Sequence, residues 1–206
     1  PPGAGTAQRG CGLHQTRDGA KLVDVRDQVA FGAAFLPSSI NIGMRPNSVN
    51  WLGMAVKASS KIIIVADSEA DAREAAFRFQ RAGYDKLIGY LADGVCGWAM
   101  QGKRLDHLPQ STAESLKHVI EKYSDHVVLD VRTEAEWRDG HIDGALHMPV
   151  TDLIEAGLDL PKQRHITAVC SSGYRSNIAG SFLKSIGYEH VFSLIGGMPA
   201  WNAAAG

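Results

Sequence analysis

The chain repeats itself at the scale of a domain, and this constrains its fold more than any other feature. Lys21-Leu22-Val23-Asp24-Val25-Arg26 matches Val127-Val128-Leu129-Asp130-Val131-Arg132. The register then holds, pairing Phe31 with Trp137, Leu36 with Ile142 and Ile42 with Met148. Further on, Ala82-Gly83-Tyr84-Asp85 matches Ile186-Gly187-Tyr188-Glu189, and Gly94 and Trp98 match Gly197 and Trp201 after a one-residue shift. A repeat of about a hundred residues is too long for a solenoid unit and fits a domain. We therefore expect two homologous domains at 12–104 and 114–206, a linker at 105–113 and a flexible lead at 1–11.

Each half alternates strand and helix signals. In the second half, Val127–Val131, Ile166–Val169 and Val191–Ile195 are short β-branched runs that predict buried strands. Ser111 and Glu114 form a capping-box pattern ahead of Leu116, Val119, Ile120 and Tyr123 at helical spacing, and Thr133 with Glu136 repeats the pattern. Ile178, Phe182, Leu183 and Ile186 mark another helix, which Gly187 can stop. The first half runs in the same order, with Ile62–Val65, then Ala72–Ala82, then Leu87–Leu91. Strands that are apolar throughout, separated by helices, predict an α/β fold in which each domain is a parallel sheet with helices on both faces. Ligands in such folds sit outside the carboxyl ends of the strands.

Composition removes several function classes. With 21 basic and 22 acidic residues the net charge is −1, so neither nucleic acid nor an anionic membrane is expected as a partner. No run is long and apolar enough to span a membrane, and no secretory leader pattern opens the sequence. The three cysteines, Cys11, Cys96 and Cys170, are unevenly spaced, which argues against a disulfide framework and fits a reducing, cytoplasmic setting. No Cys/His cluster has zinc spacing, and no cofactor is expected.

Cys170-Ser171-Ser172-Gly173-Tyr174-Arg175 is where chemistry is expected. Cys170 falls at the carboxyl end of a predicted strand, directly before a predicted helix. A thiol reacts as its thiolate, and a helix N-terminus favours that form. The backbone N–H groups from Ser171 to Ser176 can converge as an anion nest, and Gly173 permits the tight turn. Arg175 adds a fixed charge able to orient an oxyanion or a persulfide. Ser171, Ser172 and Ser176 can donate hydrogen bonds with little bulk, and Tyr174 belongs either to the pocket rim or to the core. A buried structural cysteine before a polar turn is the plainer alternative. The helix start and the spacing to Arg175 favour the reactive reading.

Three motifs in order carry a family resemblance. Leu129-Asp130-Val131-Arg132 with Glu136-Trp137 and Gly140-His141-Ile142-Asp143-Gly144-Ala145 comes first, Cys170 to Ser176 second, and Gly196-Gly197-Met198-Pro199-Ala200-Trp201 last. Together they resemble a rhodanese domain over nearly the whole second half. The resemblance implies sulfurtransferase activity. Cys170 would accept a sulfane sulfur as a persulfide from thiosulfate, glutathione persulfide or polysulfide, and a thiol, sulfite or cyanide would take it away. Asp130, Arg132 and His141 match positions with an architectural role. Four residues separate Cys170 from Arg175. Phosphatases and arsenate reductases of similar fold have a longer loop suited to a tetrahedral oxyanion, so that chemistry is the weaker expectation.

The first half reads Ala66-Asp67-Ser68-Glu69-Ala70-Asp71 at the matching place, with no cysteine and three carboxylates. Asp67 or Ser68 there reads as a helix N-cap. Phe35 replaces the histidine matched by His141. This half is expected to be a degenerate, inactive domain, and Cys96 a small packed side chain. Trp98 and Trp201, matched across the repeat, are expected to be packing anchors. A degenerate copy followed by an intact one resembles the C-terminal half of fusions with a metallo-β-lactamase-fold domain. Trp51-Leu52-Gly53 and Gly89-Tyr90-Leu91-Ala92-Asp93-Gly94 fit that group. Such a domain, fused or as a separate hydrolase, is the partner this arrangement implies. The competing function is a non-catalytic docking or regulatory module.

Overall fold

A computed structural model of the chain describes residues 19–91 and 93–205, so the lead at 1–11 and Cys11 lie outside the described residues. These residues pack as two units. One holds the segment ending at Asp27 together with Phe35–Asp106, and the other holds Gln28–Ala34 with the chain from His107 on.

In the first unit, β1 (Lys21–Asp24), β2 (Ile40–Asn41), β3 (Ile62–Val65) and β4 (Leu87–Tyr90) form one sheet in the order β2-β1-β3-β4. Every pairing is parallel. Helices α1 (Gln28–Ala33), α2 (Ser48–Ala55), α3 (Glu69–Arg81) and α4 (Gly94–Met100) lie between and after these strands in sequence, with α1 grouped by packing into the second unit.

The second unit carries β5 (Gln110–Ser111), β6 (Val127–Asp130), β7 (Leu146–His147), β8 (Ile166–Val169) and β9 (Val191–Leu194). Their order is β5-β9-β8-β6-β7, again all parallel. The helices are α5 (Ala113–Lys122), α6 (Glu134–Arg138), α7 (Val150–Ala156), α8 (Tyr174–Ser185) and α9 (Gly197–Ala205). All four residues of β3 and all four of β8 are buried, as a strand covered on both faces must be. Around β8, a core of Leu116, Val128, Ile142, Val169, Leu194 and Met198 joins α5 to the sheet, and Trp201 packs on it. Each such aliphatic side chain contributes roughly 1.5–3 kcal/mol by leaving water. Trp201 is thus the expected anchor, and so is its counterpart Trp98, which is buried and donates its indole N–H to the Arg104 carbonyl at 3.0 Å.

Strands β3, β4, β6, β8 and β9 lie within a residue of their expected bounds, and the turn at Gly187 has φ +95°, the left-handed stop expected after α8. One cap differs. The N-cap of α5 is Thr112, whose Oγ1 accepts the Ser115 N–H at 3.2 Å. Ser111 is not the cap, because it is still a strand residue, paired with Leu194 across β5 and β9. Replacing Thr112 with alanine is therefore expected to lower stability by about 1 kcal/mol in thermal or urea unfolding, with Ser111→Ala costing less.

The parallel register sets the working edge. Asp130 lies opposite Val169, so the residues just past both strands, Arg132 and Cys170, emerge on the same carboxyl edge of the sheet.

Candidate active site

Cys170 directly follows β8 and is fully buried, with 0% of its surface exposed. The chain then turns through Ser171 and Ser172, both exposed, to Gly173, which caps α8 with φ +88°. A residue with a Cβ would be strained there. It would also meet the Gln28 side-chain amide nitrogen at 3.0 Å. The turn brings the Gly173 N–H onto the Cys170 sulfur at 3.1 Å. Ser176 Oγ stands 3.6 Å from the same sulfur, donates to the Gly173 carbonyl at 3.0 Å and shares a hydrogen bond with Ser193 Oγ at 2.9 Å. The Gly173 N–H stands directly before the first turn of α8, so the sulfur lies at the positive end of that helix. Tyr174, on the first turn of α8, is buried.

The loop is held from behind by the start of α9. Met198 N–H donates to the Cys170 carbonyl at 2.8 Å. A Cβ on Gly197 would stand 2.2 Å from that carbonyl oxygen, 2.6 Å from the Ser171 carbonyl carbon and 2.7 Å from the Ser172 nitrogen. Only a glycine admits this approach, and Gly197 also has φ +60°. In the sequence Gly197 was only part of a closing motif, and its structural task is to support the cysteine loop.

Arg175 sits on the first turn of α8, and its guanidinium is taken up by a carboxylate. Its two terminal nitrogens donate to the two Glu136 oxygens at 2.7 and 2.6 Å, and one of them also donates to Ser171 Oγ at 2.9 Å. Glu136 belongs to α6, where it completes the capping box. Thr133 N–H donates to it at 3.1 Å, and Thr133 Oγ1 at 2.7 Å. The sequence marked Glu136 as a helix cap but not as a partner of Arg175, 39 residues away. The hydrogen bond from Arg175, with smaller help from Thr133, holds the Glu136 carboxyl down to about 2 against the opposing effect of burial. Glu136 in turn raises the Arg175 pKa, and the Cys170 charge adds to that effect. Since the folded carboxyl titrates below its ordinary 4.5, the pair's stabilisation is complete above that range and lost as pH falls toward about 2. A pH titration of the Glu136 side-chain carboxyl by NMR should therefore show a midpoint about two units below an unperturbed glutamate.

Asp130 and Arg132 form a buried pair, with contacts at 3.0 and 2.7 Å, and Arg132 also donates to the Gly140 carbonyl at 2.6 Å. That is scaffold, since the first unit builds the same pair from Asp24 and Arg26, at 3.0 and 2.7 Å. His141 is exposed and stacks on Trp137 with ring centres 3.7 Å apart.

At the matching place in the first unit, Ser68 caps α3, accepting the Asp71 N–H at 3.1 Å, with Ala66 and Asp67 where a cysteine would stand. Cys96 corrects an expectation: it is exposed, not packed, because it lies on the solvent face of the short α4. Among the described residues no group of three or more His, Cys, Asp or Glu side chains could hold a metal ion. A cavity of about 610 Å³, lined by Leu116, Val119, Tyr123, His126, His165 and Phe192, opens near the amino ends of β6 and β8, opposite the edge that carries Cys170. Burial, with His165 nearby, lowers the His126 pKa there.

Comparison with known proteins bears on this geometry. A family model described as Rhodanese-like domain matches residues 12–101 and again 112–204. The chain is 36% identical over 89 residues to a sulfurtransferase of Allochromatium vinosum, covering 43% of this chain and 83% of that one. It is 33% identical over 82 residues to the thiosulfate sulfurtransferase GlpE of Coxiella burnetii, covering 40% and 77%. A Bacillus subtilis relative, 29% identical over 95 residues, is matched over 51% of its length, about half. Among solved structures, the rhodanese-like domain of an Anabaena protein is 40% identical, covering 48% of this chain and 76% of that one with a TM-score of 0.45.

Proposed function

The chain belongs to the rhodanese-like domain family in both of its halves, and on that premise we propose that it is a sulfurtransferase whose second domain carries sulfane sulfur on Cys170 and whose first domain carries none. The observation that carries this reading is the Cys170 sulfur held at the start of α8 by the Gly173 N–H, against Ala66, Asp67 and Ser68 in the other copy.

The Cys170 thiolate attacks the outer sulfur of a donor such as thiosulfate, glutathione persulfide or polysulfide. A Cys170 S–S bond forms, the donor S–S bond breaks, and its electron pair leaves on sulfite or a thiolate. The backbone N–H groups of the loop then face the charged persulfide in a site shielded from water, where such donors act most strongly. A thiol, sulfite or cyanide removes the outer sulfur and returns the thiolate. This is a double displacement and gives ping-pong kinetics. No helix among the described residues is long and apolar enough to cross a membrane. A metallo-β-lactamase-fold hydrolase, fused or separate, is the partner that would supply or consume these sulfur species.

Mass spectrometry after treatment with a donor tests the assignment. One extra sulfur on Cys170 and none on Cys96 is the expected result. An unmodified Cys170 with sulfur elsewhere sinks it, and turnover of a generic phosphate ester without sulfur transfer would favour a phosphatase instead. The paired state of Arg175 argues against the phosphatase, because three of its five N–H donors are already engaged.

A further inference from the structure

Resting on that assignment of Cys170, we propose that Glu136 sets the charge class of the sulfur donor. By holding Arg175, it leaves a cysteine loop with no net positive charge, which selects a donor bearing at most one negative charge at its reacting end. That is a persulfide rather than a dianion of the thiosulfate type.

The charges around the loop support this. Arg175 is the cation inside the Cys170–Ser176 loop, and its side chain is only 13% exposed. Glu136 meets it with both oxygens, a bidentate arrangement that fixes the guanidinium in direction as well as charge. Neighbouring ionic groups at this edge are also paired: Asp130 with Arg132 at 2.7 Å, and Glu134 with Arg138 at 2.8 Å. What remains for a donor is the backbone nest, a set of dipoles. Dipoles can hold one charge, but a second adjacent charge taken out of water needs a counter-charge. Ser171, Ser172 and Gly173 bring none.

Both transfers balance. From RS–SH, the thiolate of Cys170 forms the new S–S bond, and RS⁻ leaves with the electron pair. The proton stays on the transferred sulfur. From thiosulfate, the same attack expels sulfite, with three negative charges in total before and after. The second reaction gathers those three charges at the loop, and the first gathers one.

The test uses the full chain and reads the rate at which Cys170 gains one sulfur, by intact mass, from thiosulfate and from hydroxyethyl persulfide. Glutamine is accepted at the third position of a capping box, so Glu136→Gln keeps the α6 cap while removing the charge. At low salt it is expected to raise the thiosulfate-to-persulfide rate ratio about tenfold, the effect of one charge a few ångströms from a dianion, and the gain should shrink as salt is added. Arg175→Gln is expected to move the ratio the other way by a similar factor, and the double variant to return it to the parent value. A ratio that does not follow the sign of the pair's charge, while Cys170 still loads, overturns the inference and leaves the sulfur-carrier reading standing. If the parent chain loads from neither donor, both fall.

Discussion

Replacing Cys170 with serine is expected to abolish sulfur loading, with the rate falling by roughly a thousandfold or more. A hydroxyl at this position has neither the thiolate's nucleophilicity nor a sulfur with which to form the S–S bond. The fold should survive. Serine is slightly smaller, the site is fully buried, and the Gly173 N–H and Ser176 Oγ remain beside an oxygen that can accept a hydrogen bond. A stability change within about 2 kcal/mol is expected. Paired measurements of loading by mass spectrometry and unfolding by urea separate the two effects. Residual loading of the serine variant, on any other residue, would show that the acceptor sulfur is not Cys170.

Replacing Gly197 with alanine is expected to damage both stability and activity. The added Cβ would fall 2.2 Å from the Cys170 carbonyl oxygen, and that neighbour is backbone, which cannot swing aside like a side chain. The φ of +60° adds the ordinary cost of a left-handed residue. The two together predict a loss of about 2–4 kcal/mol. Because the clash pushes on the Cys170–Ser172 backbone, sulfur loading should drop by about a hundredfold, as displacements on the order of 1 Å commonly produce. Gly187→Ala is the control. Its φ is +95° but nothing lies within 4 Å of its added Cβ, so it should cost only about 1 kcal/mol and leave loading unchanged. Equal losses of activity in the two alanine variants would show that strain in general, and not contact with the loop, is responsible.

Much of the fold was legible because it is encoded locally. Ile62–Val65 and Ile166–Val169 are runs of β-branched and small apolar residues, and both became central strands with the same bounds. Thr133 and Glu136 formed their capping box because its partners lie three residues apart. Thr112 was missed as the cap of α5 because the short strand holding Ser111 depends on pairing with β9, some eighty residues later. Cys96 was misread as packed because a helix of seven residues carries too little periodicity to tell its inner face from its outer one.

The site divides the same way. A cysteine, small neutral residues, a glycine and an arginine in six positions are enough to place a thiol at a helix start, and the first copy, with Ala66 to Asp71 at the matching place, builds its sheet without them. Asp24–Arg26 and Asp130–Arg132 recur in both copies because the i, i+2 pair closes on itself at a strand end. The sequence by itself therefore determined the repeat, the parallel α/β plan and the position of Cys170 between a strand and a helix, all properties of neighbouring residues. Only the tertiary structure decided what Arg175 does and what keeps the loop in place. Glu136 and Gly197 reach the loop from α6 and α9, across separations that no local pattern records, and the meeting of their elements at the carboxyl edge of β8 turns a helix cap into a counter-ion and a small residue into a support.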